Sequence, residues 1–144
     1  MVFVIAEIGV NWNGSFELLE EMIKQTKNIG CNAVKFQAFS EKEVSEHPEK
    51  ERLLSCSVNS DNVKQIDKIA LENNIEWFCT PMYEKAVDFL DPYVNRYKIR
   101  HADGVSLLEN NESKLIKKVL STGKQVIVSS EITPKNSKYF SNKQ

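Results

Sequence analysis

The sequence predicts an α/β fold, namely a partial (β/α)8 barrel of the TIM type with about five parallel strands and intervening helices. Short apolar segments alternate along the chain with segments whose apolar residues recur at helical spacing. This alternation requires parallel strands joined by right-handed crossovers, with helices covering the sheet. Neither GxGxxG after the first strand nor GxxxxGK followed by Ser or Thr is present, so the nucleotide-binding fingerprints of other α/β folds are missing. Polar residues gather where the strands end, which is the face on which barrel enzymes work, and this favours the barrel.

The first strand and helix are predicted between residues 2 and 30. Val2–Ile8 is apolar and rich in β-branched residues, so it is predicted to be a buried strand. Ser15 is suited to cap the following helix, and Gly30 is suited to end it. The helical spacing is carried by Phe16, Leu19, Met22, Ile23, Thr26 and Ile29.

The same pattern recurs in the rest of the chain. Four more strands are predicted in NAVKFQAF (32–39), IEWFCTPM (75–82), RYKIRHAD (96–103) and QVIVSSEI (125–132). The helices between them are predicted around residues 63–70, in EKAVDFL (84–90) and around residues 115–120, where Gly123 ends the last one. The polar stretch from Ser40 to Ser60 is predicted to be a long loop, whose position would let it cover the active face.

The chain length limits how much of a barrel can form. A chain of 144 residues with 41% hydrophobic residues is long enough for one domain with a core. A complete barrel needs eight units and about 250 residues. We therefore predict a truncated barrel over residues 1–132 and a polar, lysine-rich tail over residues 133–144.

Composition excludes several classes of partner. The formal net charge is -1 and the sequence pI is about 6.2, so no global field would attract nucleic acid or an anionic membrane. The apolar run at the N-terminus is far shorter than the ~20 residues needed to cross a bilayer. Three cysteines without CxxC spacing indicate a reduced compartment, and a cytoplasmic location is expected.

Four polar residues are predicted at or near the carboxyl ends of the strands: Glu7, Lys35, Thr80 and Lys98. In a parallel sheet these ends share one face, so the four side chains are expected to converge. An unpaired ammonium is costly to bury, and two lysines directed into one pocket could hold a small dianion, with Thr80 as a further donor. A molecule with a carboxylate and a phosphate would suit them. The alternative is that each lysine pairs with a neighbouring acid or extends to the rim.

Glu7 and Asn11 each have more than one possible role. Glu7 could act as a general acid or base or bind a substrate hydroxyl, and it could also form an ion pair with Lys35. Asn11 could serve the pocket or simply form a turn together with Asn13 and the neighbouring glycines, Gly9 and Gly14.

Polar residues in later strands extend this set. Gln37, Tyr97 and Asp103 are candidate pocket residues, and His101 could reach the pocket because it follows Lys98 by three positions. No second histidine is placed near His101, so no metal site is predicted in this chain.

The segments IAEIGVNWNGS, GCNAVKFQAF, IEWFCTPM, RYKIRHAD and TGKQVIVSS closely resemble, in order and spacing, the N-terminal half of the sialic acid synthase family. This family comprises the N-acylneuraminate synthases and their pseudaminic and legionaminic acid relatives. The resemblance implies a (β/α) barrel followed by an antifreeze-like domain, and a domain-swapped dimer. It also implies a transferase that condenses phosphoenolpyruvate with an open-chain N-acyl-mannosamine-type sugar, using a divalent ion, Mn or Mg, to polarise the aldehyde.

The resemblance also implies roles for individual residues. Lys35 of KFQ and Lys98 of YKI look like the phosphoenolpyruvate-binding lysines, with Thr80 of CTP at the same anion. Glu7 looks like the acidic residue near the reacting carbons and the sugar, and it is the predicted catalytic residue. Gln37 resembles a pocket-lining position.

Two positions depart from the family pattern. The family usually has histidine where this chain has Trp12, and a small serine that helps to hold phosphoenolpyruvate where this chain has His101. These rings are predicted to fill part of the pocket. His101 and Asn11 complete the predicted substrate-binding set, and the family's metal ligands are expected in the half that this chain lacks.

Three hypotheses remain open from the sequence. The chain could be the N-terminal part of such an enzyme, as a fragment or as one piece of a split protein. It could be a non-catalytic remnant that binds sugar or phosphate ligands or a partner chain. It could be a different barrel enzyme that uses the same lysines, such as a 3-deoxy-sugar-acid synthase. The exposed edges of a partial barrel predict self-association or a complementing chain.

Overall fold

A computed structural model describes residues 2–131 and contains one five-stranded parallel sheet within that range. The strands follow one another in space in the order of the sequence, β1-β2-β3-β4-β5. They are β1 (Ile5–Glu7), β2 (Ala33–Ala38), β3 (Glu76–Pro81), β4 (Arg96–Ile99) and β5 (Gln125–Val128). The predicted set of about five parallel strands with intervening helices is confirmed. The predicted tail, 133–144, lies outside the described residues.

Helices connect every pair of neighbouring strands, as parallel pairing requires. They are α1 (Phe16–Asn28), α2 (Glu41–Val44), α3 (Lys50–Ser55), α4 (Val63–Glu72), α5 (Glu84–Leu90), α6 (His101–Leu108) and α7 (Lys114–Ser121). Ser15 caps α1 as predicted, because its Oγ accepts a hydrogen bond from Leu18 N at 3.2 Å. None of the helices in the described range is long and apolar enough to cross a membrane.

Several predictions about the elements are wrong. Val2–Ile8 is not a buried strand over its whole length, because β1 spans only Ile5–Glu7 and Val2, Phe3 and Val4 before it are exposed. The stretch from Ser40 to Ser60 is not a plain loop, since it contains α2 and α3. These helices have only four and six residues, too few to show a helical period. The segment RYKIRHAD does not remain a strand to its end, because Arg100 is the N-cap residue of α6 and His101 begins that helix. Gly104 lies inside α6, and the low helix propensity of glycine made this helix harder to predict from the sequence.

The side chains of the central strands alternate between two faces, as the pleat requires. Phe36 of β2 and Trp77 of β3 meet edge to face at 6.1 Å, and Tyr97 of β4 donates toward Val87 O of α5. These residues form the core between sheet and helices. Lys35 and Lys98 are neighbours of Phe36 and Tyr97 in sequence, so they project to the opposite, concave side. The alternation therefore separates an apolar layer from a polar one.

Candidate active site

A cavity of about 420 Å³ opens at the carboxyl ends of the strands, and we call it the strand-end pocket. Its lining draws on all five strands or the residues that directly follow them. The lining residues are Glu7, Gly9, Val10, Asn11, Lys35, Gln37, Thr80, Lys98, Arg100, His101 and Ser129. Seven of the nine candidate pocket residues, all except Tyr97 and Asp103, lie in this one cavity. Their roles stay predictions.

Lys35 is the most deeply placed charge in the strand-end pocket. Its Nζ lies 2.6 Å from Glu7 Oε1 and donates to Thr80 Oγ1 at 3.3 Å. Glu7 and Lys35 are opposite each other in the register of β1 and β2, so the pairing needs no distortion of either strand. The side chain of Lys35 is 8% exposed, whereas that of Glu7 is 61% exposed. The expected ion pair therefore exists inside the pocket, and Glu7 still presents its carboxylate to solvent and to a ligand.

Lys98 differs from Lys35 because it bonds a neutral group. Its Nζ donates to Ser129 Oγ at 2.5 Å. Burial lowers the pKa of the Lys98 ammonium below the ordinary value, the nearby charge of Lys35 lowers it further, and Glu7 opposes the shift. An ammonium that has lost hydration without gaining a carboxylate partner gains the most from a bound anion. The geometry at Lys98 therefore favours an anionic ligand.

Two pocket residues with polar side chains, Ser129 and Arg100, were missed by the sequence analysis. Ser129 directly follows β5, where its N donates to Ile99 O at 3.1 Å and extends the ladder by one residue. The rule that located Lys98 and Thr80, a polar residue at a strand end, would also have found Ser129. Arg100 directly follows β4 and is the N-cap residue of α6. Because α6 was not predicted, no helical spacing of residues indicated a role for Arg100.

The loop after β1 forms the turn that the asparagines and glycines predict. Gly9, Asn13 and Gly14 have φ of 55°, 49° and 73°, values that glycine and asparagine tolerate. Gly9 N donates to Lys35 O at 2.9 Å, which continues the pairing of β1 with β2, and Asn11 N donates to Ile8 O at 2.9 Å within the turn. This places Asn11 at the rim of the pocket.

Three expectations about the pocket are wrong. Tyr97 belongs to the helix-facing side of β4, and its hydroxyl bonds Asp91 Oδ1 at 3.1 Å. Asp103 lies one turn into α6 and lines a neighbouring cavity instead. Trp12 does not fill part of the pocket, since its ring is 1% exposed in the core and its Nε1 donates to Cys56 O at 3.1 Å. A residue five positions beyond β1 has already turned back toward α1, where it contacts Phe16 at 5.5 Å between ring centroids.

A divalent ion finds no ready site among residues 2–131. No three His, Cys, Asp or Glu side chains in that range converge in a group that could hold one. Among the described residues that line the strand-end pocket, Glu7 and His101 are the two side chains of this kind, and Glu7 is paired with Lys35. The residues described here do not fit the ion that the resemblance implies, so we derive no step through it.

Comparison with known proteins assigns the chain to one family. The family model described as the NeuB family matches residues 22–137. The chain belongs to the NeuB family. The match covers most of the chain and includes Lys35, Thr80 and Lys98, so the resemblance to sialic acid synthases is confirmed.

Curated relatives of this NeuB-family chain include enzymes of nine-carbon sugar acid synthesis. The chain is 31% identical over 140 residues to N,N'-diacetyllegionaminic acid synthase of Legionella pneumophila, covering 84% of this chain and 39% of the relative. It is 28% identical over 147 residues to N-acetylneuraminate-9-phosphate synthase of Drosophila melanogaster, covering 88% and 39%. An uncharacterized protein of Methanocaldococcus jannaschii is 32% identical over 130 residues, covering 88% and 37%. The chain thus spans about two fifths of the length of these relatives.

Solved structures agree with the barrel architecture. N-acetylneuraminic acid synthetase of Leptospira borgpetersenii, crystallised with citrate, matches with a TM-score of 0.68 at 25% identity, over 90% of this chain and 53% of that one. A truncated 3-deoxy-D-arabino-heptulosonate 7-phosphate synthase of Thermotoga maritima matches with a TM-score of 0.62 at 13% identity, over 88% of this chain and 39% of that one, and supports the fold alone. The five strands of this NeuB-family chain form a curled half of a TIM-type barrel.

Proposed function

We propose that this NeuB-family chain supplies the phosphoenolpyruvate-binding part of an active site that condenses phosphoenolpyruvate with an N-acyl-mannosamine-type sugar. The products would be a nine-carbon sugar acid and phosphate. One observation carries the proposal: Lys35 and Lys98 line the same strand-end pocket, each beside a hydroxyl donor. The names of the Legionella and Drosophila relatives support this class of product.

The pocket suits a ligand with two anionic groups. Phosphoenolpyruvate carries a carboxylate and a phosphate on the same carbon, C2, and two ammonium groups with two hydroxyls can satisfy both. Lys98 with Ser129 offers one binding point, and Lys35 with Thr80 offers the other. Charge-assisted hydrogen bonds in a partly desolvated pocket are stronger than the same bonds in water.

In the proposed reaction, C3 of phosphoenolpyruvate forms a bond to the aldehyde carbon of the sugar, whose oxygen takes a proton. Water adds to C2, and the C2–O bond to phosphate breaks as the 2-keto acid forms. Glu7 is the one carboxylate among the described pocket residues, and its exposed position suits a contact with a sugar hydroxyl or a proton from water. Lys35 keeps Glu7 oriented through the 2.6 Å ion pair.

Calorimetric titration of phosphoenolpyruvate into the full chain tests the lysine pair. Lys98→Ala is expected to weaken binding by about tenfold or more, because it removes one charge-assisted contact. Lys27→Ala is the matched control, since Lys27 bonds Asn74 O and does not line the pocket. Equal affinities of the wild type and Lys98→Ala for phosphoenolpyruvate would contradict the proposal. Phosphate release with N-acetylmannosamine and Mn²⁺ then separates a catalytic chain from a ligand-binding remnant.

The edges of the sheet favour a second proposal, that the chain associates with another copy or with a complementing chain. Within residues 2–131 the strands β1 and β5 are the two ends of the sheet order and do not pair with each other. Beside β1 the apolar side chains of Val2, Phe3 and Val4 are 81%, 43% and 46% exposed. Open edges and apolar side chains next to them are sites of chain pairing.

Sedimentation velocity over a range of chain concentrations tests this association. The sedimentation coefficient is expected to rise with concentration, because association by edge pairing follows mass action. A monomeric value that stays constant from low to high micromolar concentration contradicts self-association. The remaining form of the proposal, a separate complementing chain, then predicts that phosphate release requires a second protein.

A further inference from the structure

Arg100 adds a third positive charge to the strand-end pocket. Three cations, Arg100, Lys35 and Lys98, line the cavity; Lys35 is paired with Glu7, and Arg100 is paired with Asp103, which does not line it. The chain as a whole carries a formal charge of -1, so the positive charge is a local property of this pocket. A ligand with only two anionic groups is already matched by the two lysines.

The side chain of Arg100 is more exposed to solvent than that of Lys35. Its side chain is 41% exposed, against 8% for Lys35. Lys35 binds Glu7 and Thr80 deep between the strands, whereas Arg100 begins the turn from β4 into α6. The guanidinium is therefore more open to a ligand from the solvent side than the Lys35 ammonium is.

The guanidinium is held in place by its neighbours. Nε donates to Asp103 Oδ2 at 2.6 Å, and Nη1 faces Met82 Sδ at 3.7 Å. The bond to Asp103 uses one of five N–H donors of the planar group. A side chain that is already oriented loses less rotational freedom when it binds, and its fork matches two oxygens of a phosphate.

A second cavity of about 470 Å³ lies beside the strand-end pocket. Asp103 and Met82, the two partners of Arg100, both line it. Arg100 thus stands between the two cavities, and a ligand longer than a three-carbon acid could extend past it.

We propose that Arg100 recognises the phosphate of a phosphorylated N-acyl-mannosamine-type acceptor, an inference that rests on the proposed function. Phosphoenolpyruvate adds three carbons at the aldehyde carbon, so C6 of the acceptor becomes C9 of the product. A 9-phosphate product, of the kind named for the Drosophila relative, therefore requires a 6-phosphate acceptor. Arg100 is a specificity-determining residue in this proposal and takes no part in bond making.

The test compares two acceptors on the full chain saturated with phosphoenolpyruvate, without an added divalent ion so that binding alone is measured. N-acetylmannosamine 6-phosphate is expected to bind at least about tenfold more tightly than N-acetylmannosamine, because a guanidinium contact to phosphate is charge-assisted. Arg100→Gln is expected to abolish this preference. Arg52→Gln is the matched control: Arg52 also bonds an acid three residues away, Glu49, but does not line the pocket.

The outcomes separate this inference from the proposed function. Equal affinity of the wild type for the two acceptors overturns the role of Arg100, while phosphoenolpyruvate binding that depends on Lys98 still supports the function. If Arg100→Gln weakens phosphoenolpyruvate binding as much as sugar phosphate binding, Arg100 belongs to the first anion and the inference is wrong. If the Gln variant does not fold, Arg100→Lys replaces it. An undiminished phosphate preference in Arg100→Lys overturns recognition by the guanidinium fork.

Discussion

Replacement of Trp12 by alanine is expected to lower the free energy of unfolding by about 4 kcal/mol, the usual cost of truncating a buried indole. The ring is 1% exposed, packs on Phe16 and bonds Cys56 O. Alanine would leave a cavity and a buried carbonyl oxygen without its donor. Urea denaturation followed by circular dichroism measures the change. Leu71→Ala, at a side chain 70% exposed, is the control and should change stability by less than about 0.5 kcal/mol.

Trp12→Phe separates structure from binding at this position. The phenyl ring keeps most of the packing and loses the N–H donor, so the expected cost is about 1 kcal/mol. Phosphoenolpyruvate affinity should equal that of the wild type, because Trp12 does not line the strand-end pocket. A several-fold gain in affinity would show instead that the indole occupies space the ligand needs.

Replacement of Gly104 by alanine is the second change with a large expected effect. A Cβ at this position would lie 2.3 Å from Ser129 O and 2.9 Å from Val128 Cγ1, so α6 and β5 must move apart. In an open helix the same change would stabilise by up to about 1 kcal/mol. Here the clash with backbone is expected to cost about 3 kcal/mol in urea denaturation, at the upper end of overpacking effects.

The same substitution should also weaken phosphoenolpyruvate binding. Displacement of Ser129 separates its hydroxyl from Lys98, which it contacts at 2.5 Å. Ser106→Ala in the same helix is the control, and both its stability and its affinity should stay close to the wild type. A Gly104→Ala variant as stable as the wild type would contradict the close approach of α6 to β5.

Much of the fold could be predicted because its signals are local. Apolar runs bounded by turn residues marked all five strands, and Ser15 marked the start of α1. Helix α6 could not be predicted, because it contains Gly104, a residue with low helix propensity. The close contact between Gly104 and the end of β5 explains why glycine stands there, but this contact cannot be read from the sequence. Tyr97 was assigned to the pocket because its hydroxyl is polar, yet strict alternation next to Lys98 places it among the helices.

The pocket residues were predictable for a different reason. Lys35, Thr80 and Lys98 are polar side chains in otherwise apolar strands, and their cost of burial marks them whatever the exact fold. Arg100 carries no such signal, because it lies outside β4 and its place depends on where α6 begins. The buried position of Trp12 could be predicted only with knowledge of the turn that follows β1.

The alternation of side chains gives the strand-end pocket one further property. Each strand contributes its pocket residue from only one face: Glu7, Lys35, Thr80 and Lys98 come from four neighbouring strands. A slip of one residue in β4 would exchange Lys98 for Tyr97, replacing an ammonium by a phenol and burying a charge among the helices. The anion-binding groups therefore record the alignment of the whole sheet, and ligand affinity would report a misaligned strand even where the secondary structure content is unchanged.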